Sequence, residues 1–133
     1  MEHARRLVWI DLSNNYLTGL CSDFSELPEL RSLYLHANYV FDLKEITKLS
    51  NSKIKTLTLY GNPIEQIQGY RLWVVGIVPE LRKLDTGLIT LLERDNANVM
   101  YSKTKRKTLP KIAEPRKPPP IEEPKADQEE NQI

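Results

Sequence analysis

The chain has 133 residues, 40% of them hydrophobic, and a formal net charge of +1, so one domain with a modest core is expected. A nearly neutral chain has no net field that would attract nucleic acid or a lipid surface. Cys21 is its single cysteine, which excludes an internal disulfide and favours a reducing compartment such as the cytoplasm. The charged start and the short apolar runs predict neither a signal peptide nor a membrane span.

A frame of six positions occurs three times along the chain. Each copy reads aliphatic, two residues, aliphatic, one residue, leucine, two residues, asparagine, one residue, aliphatic, two residues, aliphatic. The copies begin at residues 7, 30 and 54, so they stand 23 and 24 residues apart, within the period of leucine-rich repeats. The framework residues are Leu7, Ile10, Leu12, Asn15, Leu17 and Leu20; Leu30, Leu33, Leu35, Asn38, Val40 and Leu43; Ile54, Leu57, Leu59, Asn62, Ile64 and Ile67. The pattern predicts an α/β leucine-rich-repeat solenoid with short parallel strands on its concave face, and repeats near 7–29, 30–53 and 54–80.

The three asparagines are predicted to be structural. A buried asparagine must form hydrogen bonds with backbone groups, here those of adjacent coils, where the chain turns out of each strand. The segments after the first two copies carry Phe24 and Leu27, then Ile46 and Leu49, and are expected to form short helical turns on the outer side.

Residues between the framework positions are predicted to be displayed on the concave face, because side chains alternate along a strand. The candidate protein-binding residues are Trp9, Asp11, Arg31, Tyr34, His36, Lys55, Thr58 and Tyr60, beside Val8, Ser13, Ser32 and Thr56. Exposed aromatic residues beside arginine are typical of interface hot spots. The alternative is that strand propensity alone places tyrosine and threonine there.

The two ends of the repeat stack are predicted to differ. Residues 69–75 are predicted to form a helix that ends before Pro79, and residues 81–85 form a partial fourth copy. Thr90 and Glu93 have capping-box spacing for a last helix that ends near Asn98, which completes a C-terminal cap over 69–98. Only six residues precede Leu7, so the framework aliphatics of the first copy are expected to stay about half exposed. A second chain, or additional native sequence, is expected to cover this open edge.

Composition changes after residue 101, so we predict a repeat domain over 1–101 and a disordered or extended tail over 102–133. The tail holds six prolines and no aromatic residue. Its first half is basic and its second half acidic. It is interpreted as a solvated terminus, or as an arm that lies on an acidic surface such as tubulin, or as a nuclear localisation signal around Lys105, Arg106 and Lys107.

The sequence offers little for catalysis. His36 would need a nucleophile and a carboxylate beside it, and no glycine loop accompanies the nearest candidates to form an oxyanion hole. These candidates are Ser13, Ser32 and Asp11. Two scattered histidines and one cysteine predict no metal site. We therefore predict no enzyme and no cofactor, and the slightly acidic composition before Ser102 argues against a nucleic-acid partner.

Together, the repeats and the cap resemble the short intracellular leucine-rich-repeat proteins of the phosphatase-regulator type. The similar segments are residues 9–13, 33–36, 57–63 and 69–71, and the cap stretch from Tyr70 to Asp85. The resemblance covers about residues 7–95 and implies a non-enzymatic protein of the cytoplasm or cilium. Two hypotheses follow: a protein-binding scaffold built into a ciliary or axonemal assembly, and a regulatory module that docks on an enzyme such as a protein phosphatase.

Overall fold

Five short strands form a single sheet in sequence order. The structure is a computed structural model that describes residues 6–20, 24–104 and 109–120. The strands are β1 (Trp9–Asp11), β2 (Ser32–Tyr34), β3 (Thr56–Thr58), β4 (Lys83–Leu84) and β5 (Gly87–Leu88). The first four pair in parallel, and β4 and β5 form an antiparallel hairpin. The predicted leucine-rich-repeat architecture with parallel strands is confirmed.

The core is built from the framework aliphatics. Ile10, Leu33 and Leu57 are register partners across β1, β2 and β3, so their side chains share one face of the sheet. Leu33 and Leu57 are fully buried, whereas Ile10 is only partly buried because β1 is the edge strand. Full burial of each such side chain contributes about 1.5–3 kcal/mol, so the second and third repeats hold most of the apolar stabilisation.

Short helical segments pack on the outer side, as predicted. They are a 3₁₀ turn at Phe24–Glu26, helix α1 (Leu43–Ile46), and 3₁₀ turns at Thr47–Leu49 and Pro63–Gln66. Ile46 and Leu49 are fully buried and Phe24 is nearly so. The carboxylate of Asp42 caps α1 by accepting a hydrogen bond of 2.9 Å from the amide of Lys44.

Buried asparagines join successive repeats. Asn38 donates from Nδ2 to the carbonyl of Leu12 in the preceding repeat (2.9 Å), and its Oδ1 accepts from the amide of Leu17 (3.0 Å). Asn62 repeats the arrangement with the carbonyl of Leu35 (2.9 Å) and the amide of Val40 (2.9 Å). These side chains satisfy backbone groups that three-residue strands leave unpaired.

Asn15 departs from the prediction because it is exposed. Among the described residues, its Nδ2 donates only to the carbonyls of Leu12 and Ser13 in its own repeat, at 2.9 and 3.2 Å. The other two asparagines reach back to an earlier coil, and within the described part of the chain no coil precedes the first repeat. Asn15 therefore supports its own turn and does not join two coils.

The C-terminal cap begins with α2 (Tyr70–Ile77), close to the predicted helix. Asp85, at the turn of the β4–β5 hairpin, accepts hydrogen bonds from the amides of Leu59 and Tyr60 at 2.7 and 2.9 Å. The hydroxyl of Tyr70 donates to the same carboxylate. Burial, and then this bond to Asp85, raise the pKa of Tyr70 far above its usual value, so the hydroxyl stays protonated. The hairpin thus closes the sheet where a fourth full repeat would continue it.

Helix α3 (Leu91–Thr104) completes the cap. The predicted capping box is confirmed: the amide of Glu93 donates to Thr90 Oγ1 (3.0 Å) and the amide of Thr90 donates to Glu93 Oε1 (3.1 Å). Arg94 donates to the carbonyls of Val78 and Leu81 at 3.1 and 2.7 Å, where α2 has ended. Of the helices in the described ranges, none has the length and apolar character to cross a membrane.

Two boundaries differ from the prediction. The last helix ends at Thr104, not near Asn98, so the expected domain boundary at 101 lies inside a helix. Residues 109–120 form an extended segment that packs on the repeats, with Leu109 buried and Ile112 partly buried against the core. Of the two expectations for the tail, this segment is extended and not disordered, because two aliphatic residues anchor it. The acidic half of the tail, over 121–133, and the basic residues 105–107 lie outside the described residues.

Replacement of Asn38 by alanine tests the asparagine links. Asn38→Ala leaves the partly buried Leu17 amide without its partner and the Leu12 carbonyl with only its bond from Asn15, so we expect the free energy of unfolding to fall by about 1–3 kcal/mol. Asn15→Ala is the matched control, and its loss should stay below about 1 kcal/mol because solvent can replace its bonds. Urea unfolding measures both. Equal losses for the two variants would contradict the role assigned to Asn38.

The ion pair between Glu93 and Arg71 predicts an acid-sensitive cap. Its contact, 2.7 Å between Arg71 Nε and Glu93 Oε2, followed by the capping-box bond from Thr90, lowers the pKa of Glu93 below its ordinary value of 4.5. Because the folded-state pKa is lowered, the pair stabilises the fold above 4.5, and this contribution is lost as pH falls through the folded-state pKa.

We therefore expect Glu93→Gln to lower the free energy of unfolding at neutral pH by at most about 1 kcal/mol, since the pair is partly exposed. The variant should also lose less stability on acidification than the wild type. The matched control is Glu29→Gln, which replaces an exposed glutamate away from the cap. Urea unfolding from neutral pH down through 4.5 measures the effect. An unchanged pH dependence in Glu93→Gln argues against the assignment.

Candidate protein-binding surface

The open face of the sheet carries two rows of side chains. Register pairs share a face, so one row runs across all five strands and a second across the first three. The first row is Trp9, Ser32, Thr56, Lys83 and Leu88. The second row is Asp11, Tyr34 and the buried Thr58, followed beyond the strands by His36 and Tyr60. The structure thus brings together Trp9, Asp11, Tyr34, His36 and Tyr60 of the predicted site.

A stacked aromatic pair lies at the end of this face. The rings of His36 and Tyr60 are 4.5 Å apart between centroids and nearly parallel, at 10°. The hydroxyl of Thr58 fixes the His36 ring, because Thr58 Oγ1 lies 2.8 Å from His36 Nδ1. The same oxygen accepts a hydrogen bond of 3.1 Å from the amide of Leu35. The two rings are therefore held in place before any partner binds, which reduces the entropy lost on association.

A second fixed group on the face is the carboxylate of Asp11. Its Oδ1 accepts hydrogen bonds from Ser13 Oγ (2.6 Å) and from the amide of Ser13 (2.9 Å). These two bonds, with a smaller contribution from His36, hold the pKa of Asp11 below its usual value. Asp11 therefore presents a negative charge in a defined position beside the aromatic residues.

Three of the predicted residues do not form part of the exposed face. Thr58 is buried, because its hydroxyl is used by His36 and Leu35. Arg31 and Lys55 directly precede β2 and β3. Each stands two residues before a buried framework leucine, so alternation places it on the buried face of the sheet and not on the open one. Arg31 donates to the carbonyl of Pro28 at 2.9 Å, and Lys55 lies 3.8 Å from Glu80, so both side chains are directed to the edge of the sheet.

The sequence analysis missed Leu88 and Lys83. Leu88 is 75% exposed and is the register partner of Lys83, so the face continues into the cap. The partial fourth copy was recognised, but nothing in its pattern indicated that the chain turns back at Asp85 to form a hairpin. An open depression of about 370 Å³ adjoins Tyr60 and is lined by Glu65, Arg71 and Asp85 among others.

The first strand leaves an apolar edge exposed. Leu7, Val8 and Trp9 are 40%, 52% and 62% exposed. Ile10, Leu12 and Leu17 are partly buried, close to the expectation for the first copy. Leu20 departs from it, because Leu20 is buried together with Phe24 of the outer side. Among the described residues, β1 pairs on one side only, with β2.

Within residues 6–20, 24–104 and 109–120, no three histidine, cysteine, aspartate or glutamate side chains form a group that could hold a metal ion. His36 is committed to Tyr60 and Thr58, and Asp11 to Ser13. The geometry of the face thus favours contact with another molecule through aromatic rings and hydrogen bonds.

Comparison with known proteins agrees with this architecture. The sequence profile described as leucine-rich repeat matches residues 1–113. The chain belongs to the leucine-rich-repeat family. This leucine-rich-repeat chain is 39% identical over 100 residues to leucine-rich repeat-containing protein 51 of Bos taurus, and 37% identical over 100 residues to the Homo sapiens protein of that name. Each alignment covers 74% of the chain and 52% of the relative, so the chain spans about half the length of these relatives.

Two further similarities connect the leucine-rich-repeat chain to a protein found in a complex. It is 32% identical over 98 residues to the probable U2 small nuclear ribonucleoprotein A' of Caenorhabditis elegans, covering 72% of the chain and 39% of that protein. The crystal structure of the Drosophila melanogaster SNF/U2A' complex contains a chain with 27% identity and a TM-score of 0.67, over 73% of this chain and 57% of that one. These matches support a protein–protein interaction module, and none of them is to a catalytic family.

Replacement of Thr58 by valine tests the support beneath the aromatic pair. Thr58→Val keeps the volume but removes the hydroxyl that Leu35 and His36 share, so we expect the free energy of unfolding to fall by about 1 kcal/mol. The NMR signals of the His36 ring should also shift as the ring loses its fixed position.

The matched control is Thr56→Val on the same strand, since the Thr56 hydroxyl has no hydrogen bond to the described part of the chain. Urea unfolding and NMR spectra of both variants measure the effects. If the His36 signals move as much in the control as in Thr58→Val, the support attributed to Thr58 is wrong.

Proposed function

We propose that this chain is a non-enzymatic scaffold that binds another protein on its concave face. The observation that carries the proposal is the set of aromatic side chains on the two rows, with Trp9 62% and Tyr60 41% exposed. Large aromatic residues that a partner can desolvate supply most of the energy at protein interfaces. A solvent-exposed tryptophan at the edge of an otherwise ordered face is therefore best explained by a partner.

The arrangement around the aromatics supports binding over strand propensity alone. Propensity explains an aromatic side chain on a strand, but it does not require the His36–Tyr60 stack or the fixed carboxylate of Asp11. Both features restrict side chains before binding, which favours affinity. Lys83 and Leu88 extend the same surface with a positive charge and an apolar side chain.

A second contact is proposed at the edge formed by β1. Leu7, Val8 and Trp9 are exposed there, and the strand has a free hydrogen-bonding side among the described residues. Exposed edge strands tend to recruit further strands or covering segments. Trp9 belongs to both surfaces, so one partner that spans the edge and the concave face would cover it completely.

We propose further that the scaffold is a structural component of a ciliary or axonemal assembly in the cytoplasm. The support is the resemblance of the repeats and cap to leucine-rich-repeat proteins of that setting. The alternative is a regulatory module that docks on an enzyme such as a protein phosphatase. A structural component should leave the insoluble axonemal fraction only at high salt, whereas a regulator should be a soluble monomer that co-purifies with a phosphatase and changes its activity.

We propose that the tail binds an acidic partner such as tubulin, but through fewer basic residues than the sequence indicated. Arg116 already contacts the repeat domain through Tyr39 and Gly61. In the described segment 109–120, Lys111 and Lys117 are the exposed basic residues left for such a surface.

Proximity labelling in a ciliated cell tests the concave face. We expect Trp9→Ala and Tyr34→Ala each to reduce the labelling of the direct partner about tenfold or more, because loss of a hot-spot aromatic costs 2 kcal/mol or more. The matched control is Leu92→Ala, which shortens an exposed apolar side chain on α3 outside the face. It should leave the labelled set unchanged.

Urea unfolding must show that each variant retains its fold. If both concave-face variants are folded and label the same proteins as the wild type, the concave-face assignment is wrong. If the partners that are lost are not ciliary proteins, the concave-face assignment stands and the axonemal assignment is wrong.

A further inference from the structure

Arg116 connects the C-terminal segment to the turns that follow the second and third strands. Its Nη2 donates to the carbonyl of Gly61 at 3.0 Å and lies 3.5 Å from the carbonyl of Asn38. Its guanidinium carbon is 4.9 Å from the centroid of the Tyr39 ring. One side chain thus combines two hydrogen bonds with a cation–π contact, the combination for which arginine is better suited than lysine.

The acceptors are carbonyl groups that the fold leaves available. The side chain of Asn38 joins two repeats, and its backbone carbonyl, a separate group, accepts from Arg116. Gly61 has a positive φ of 77°, and a Cβ there would lie 3.1 Å from the amide nitrogen of Ala37. Glycine is therefore favoured at this turn, although Ala37 adopts a φ of 58° at the equivalent position of the preceding repeat.

A pair of tyrosines continues the same side of the molecule. Tyr39 follows Asn38 directly, as Tyr16 follows Asn15, so the two occupy equivalent positions in successive repeats. Their rings are 6.2 Å apart between centroids and inclined by 22°. Tyr16 is 66% exposed, so the ring pair is covered by Arg116 at one end and open at the other. We call Tyr16, Tyr39 and the carbonyls of Asn38 and Gly61 the turn edge.

Residues 109–120, which we call the strap, approach the turn edge from the cap. Leu109 is buried and Ile112 is partly buried against the core, so the strap is anchored before it reaches Arg116. Pro115 precedes Arg116, and Pro118, Pro119 and Pro120 follow it closely. Prolines favour the extended conformation, which lowers the entropy lost when such a segment binds.

We propose that the turn edge is a binding site for an extended peptide that carries an arginine between prolines, and that the strap occupies this site within the same chain. The strap covers the part of the edge in the second and third repeats. Tyr16, in the first repeat, stays 66% exposed, so the part of the edge beyond Tyr39 is open. The site is distinct from the concave face and does not rest on the function proposed for that face.

NMR relaxation of the full-length chain tests the strap. In the wild type, amides of residues 109–116 should be rigid, with order parameters of about 0.85. Arg116→Ala and Tyr39→Leu should each release residues 113–117, with order parameters below about 0.6, while residues 109–112 stay held by Leu109 and Ile112. Tyr39→Phe keeps the ring and should remain rigid.

The matched control is Lys117→Ala, which removes the neighbouring positive charge. Lys117 is exposed and makes no side-chain hydrogen bond or ion pair with the rest of the described chain. It should leave the strap rigid. A flexible strap in the wild type, or equal rigidity in Arg116→Ala and Lys117→Ala, overturns the assignment. Preserved order of the strands in every variant shows that the repeat domain itself stays folded.

A synthetic peptide with the sequence of residues 109–120 tests binding between chains. It should bind the full-length Arg116→Ala variant and shift the NMR signals of Tyr39 and Tyr16. It should bind the wild type at least tenfold more weakly, since a tethered segment competes at a local concentration of about 1 mM. A peptide with alanine in place of its arginine should not shift these signals.

Two outcomes of the peptide experiment overturn the site. One is the absence of any shift in Arg116→Ala at about 1 mM peptide, the local concentration of the tethered segment. The other is a set of shifts confined to the concave face, at Tyr34 and His36. Either result leaves the concave-face experiment with proximity labelling unaffected, so the two assignments fail separately.

Discussion

The fold depends on how the backbone of very short strands is kept hydrogen-bonded. Strands of two or three residues pair only a few peptide groups, and the chain between them runs through turns. Asn38 and Asn62 resolve this in the interior, since each bonds to a carbonyl and to an amide of the preceding coil. Buried backbone groups without such partners would each cost about 1–3 kcal/mol. Together with the strand ladder, these bonds hold the aliphatic layers of successive coils in register.

The cap solves the same problem with charged residues. Asp85 accepts hydrogen bonds from the two amides that follow β3, and Arg94 donates hydrogen bonds to carbonyls that follow α2. Arg71 joins α2 to the hairpin through the Leu84 carbonyl (3.1 Å) and to α3 through Glu93. Burial lowers the pKa of Arg94, but its bonds to carbonyls keep the cation suited to this role. Asp85, Arg71 and Arg94 thus each satisfy two or more backbone groups.

The sequence predicted the repeats well because their signal is periodic and local. The buried positions of Leu33 and Leu57, the helix that became α2 and the capping box at Thr90 all follow from spacing. The failures concern contacts between distant segments. Composition alone could not show that Leu109 and Arg116 return to the repeats, because 78 residues separate Arg116 from Asn38. The Asn-Tyr pairs at residues 15–16 and 38–39 occupy equivalent positions of two repeats, so the sequence did indicate that Tyr16 and Tyr39 would lie side by side.

A related reason explains why some predicted site residues lie away from the exposed face and why Leu88 was missed. Alternation correctly separated Tyr34 from Leu33, but it does not show which polar residue will use its hydroxyl inside the fold, as Thr58 does. Leu88 escaped notice because a two-residue turn reversed the strand direction, which periodicity does not reveal.

The asparagine bonds also give the stack a polarity. Each buried asparagine reaches toward the coil before it and none toward the coil after it, so successive coils are joined in one sense only. Asn38 bonds to a carbonyl and an amide of the coil that contains Asn15. Asn15 could form the same two bonds with an additional coil placed before β1. At the opposite end, β5 pairs antiparallel with β4 and occupies the position where a further parallel strand would pair. A further coil, added by duplication or by docking of another protein's repeats, can therefore extend this architecture only at the β1 edge.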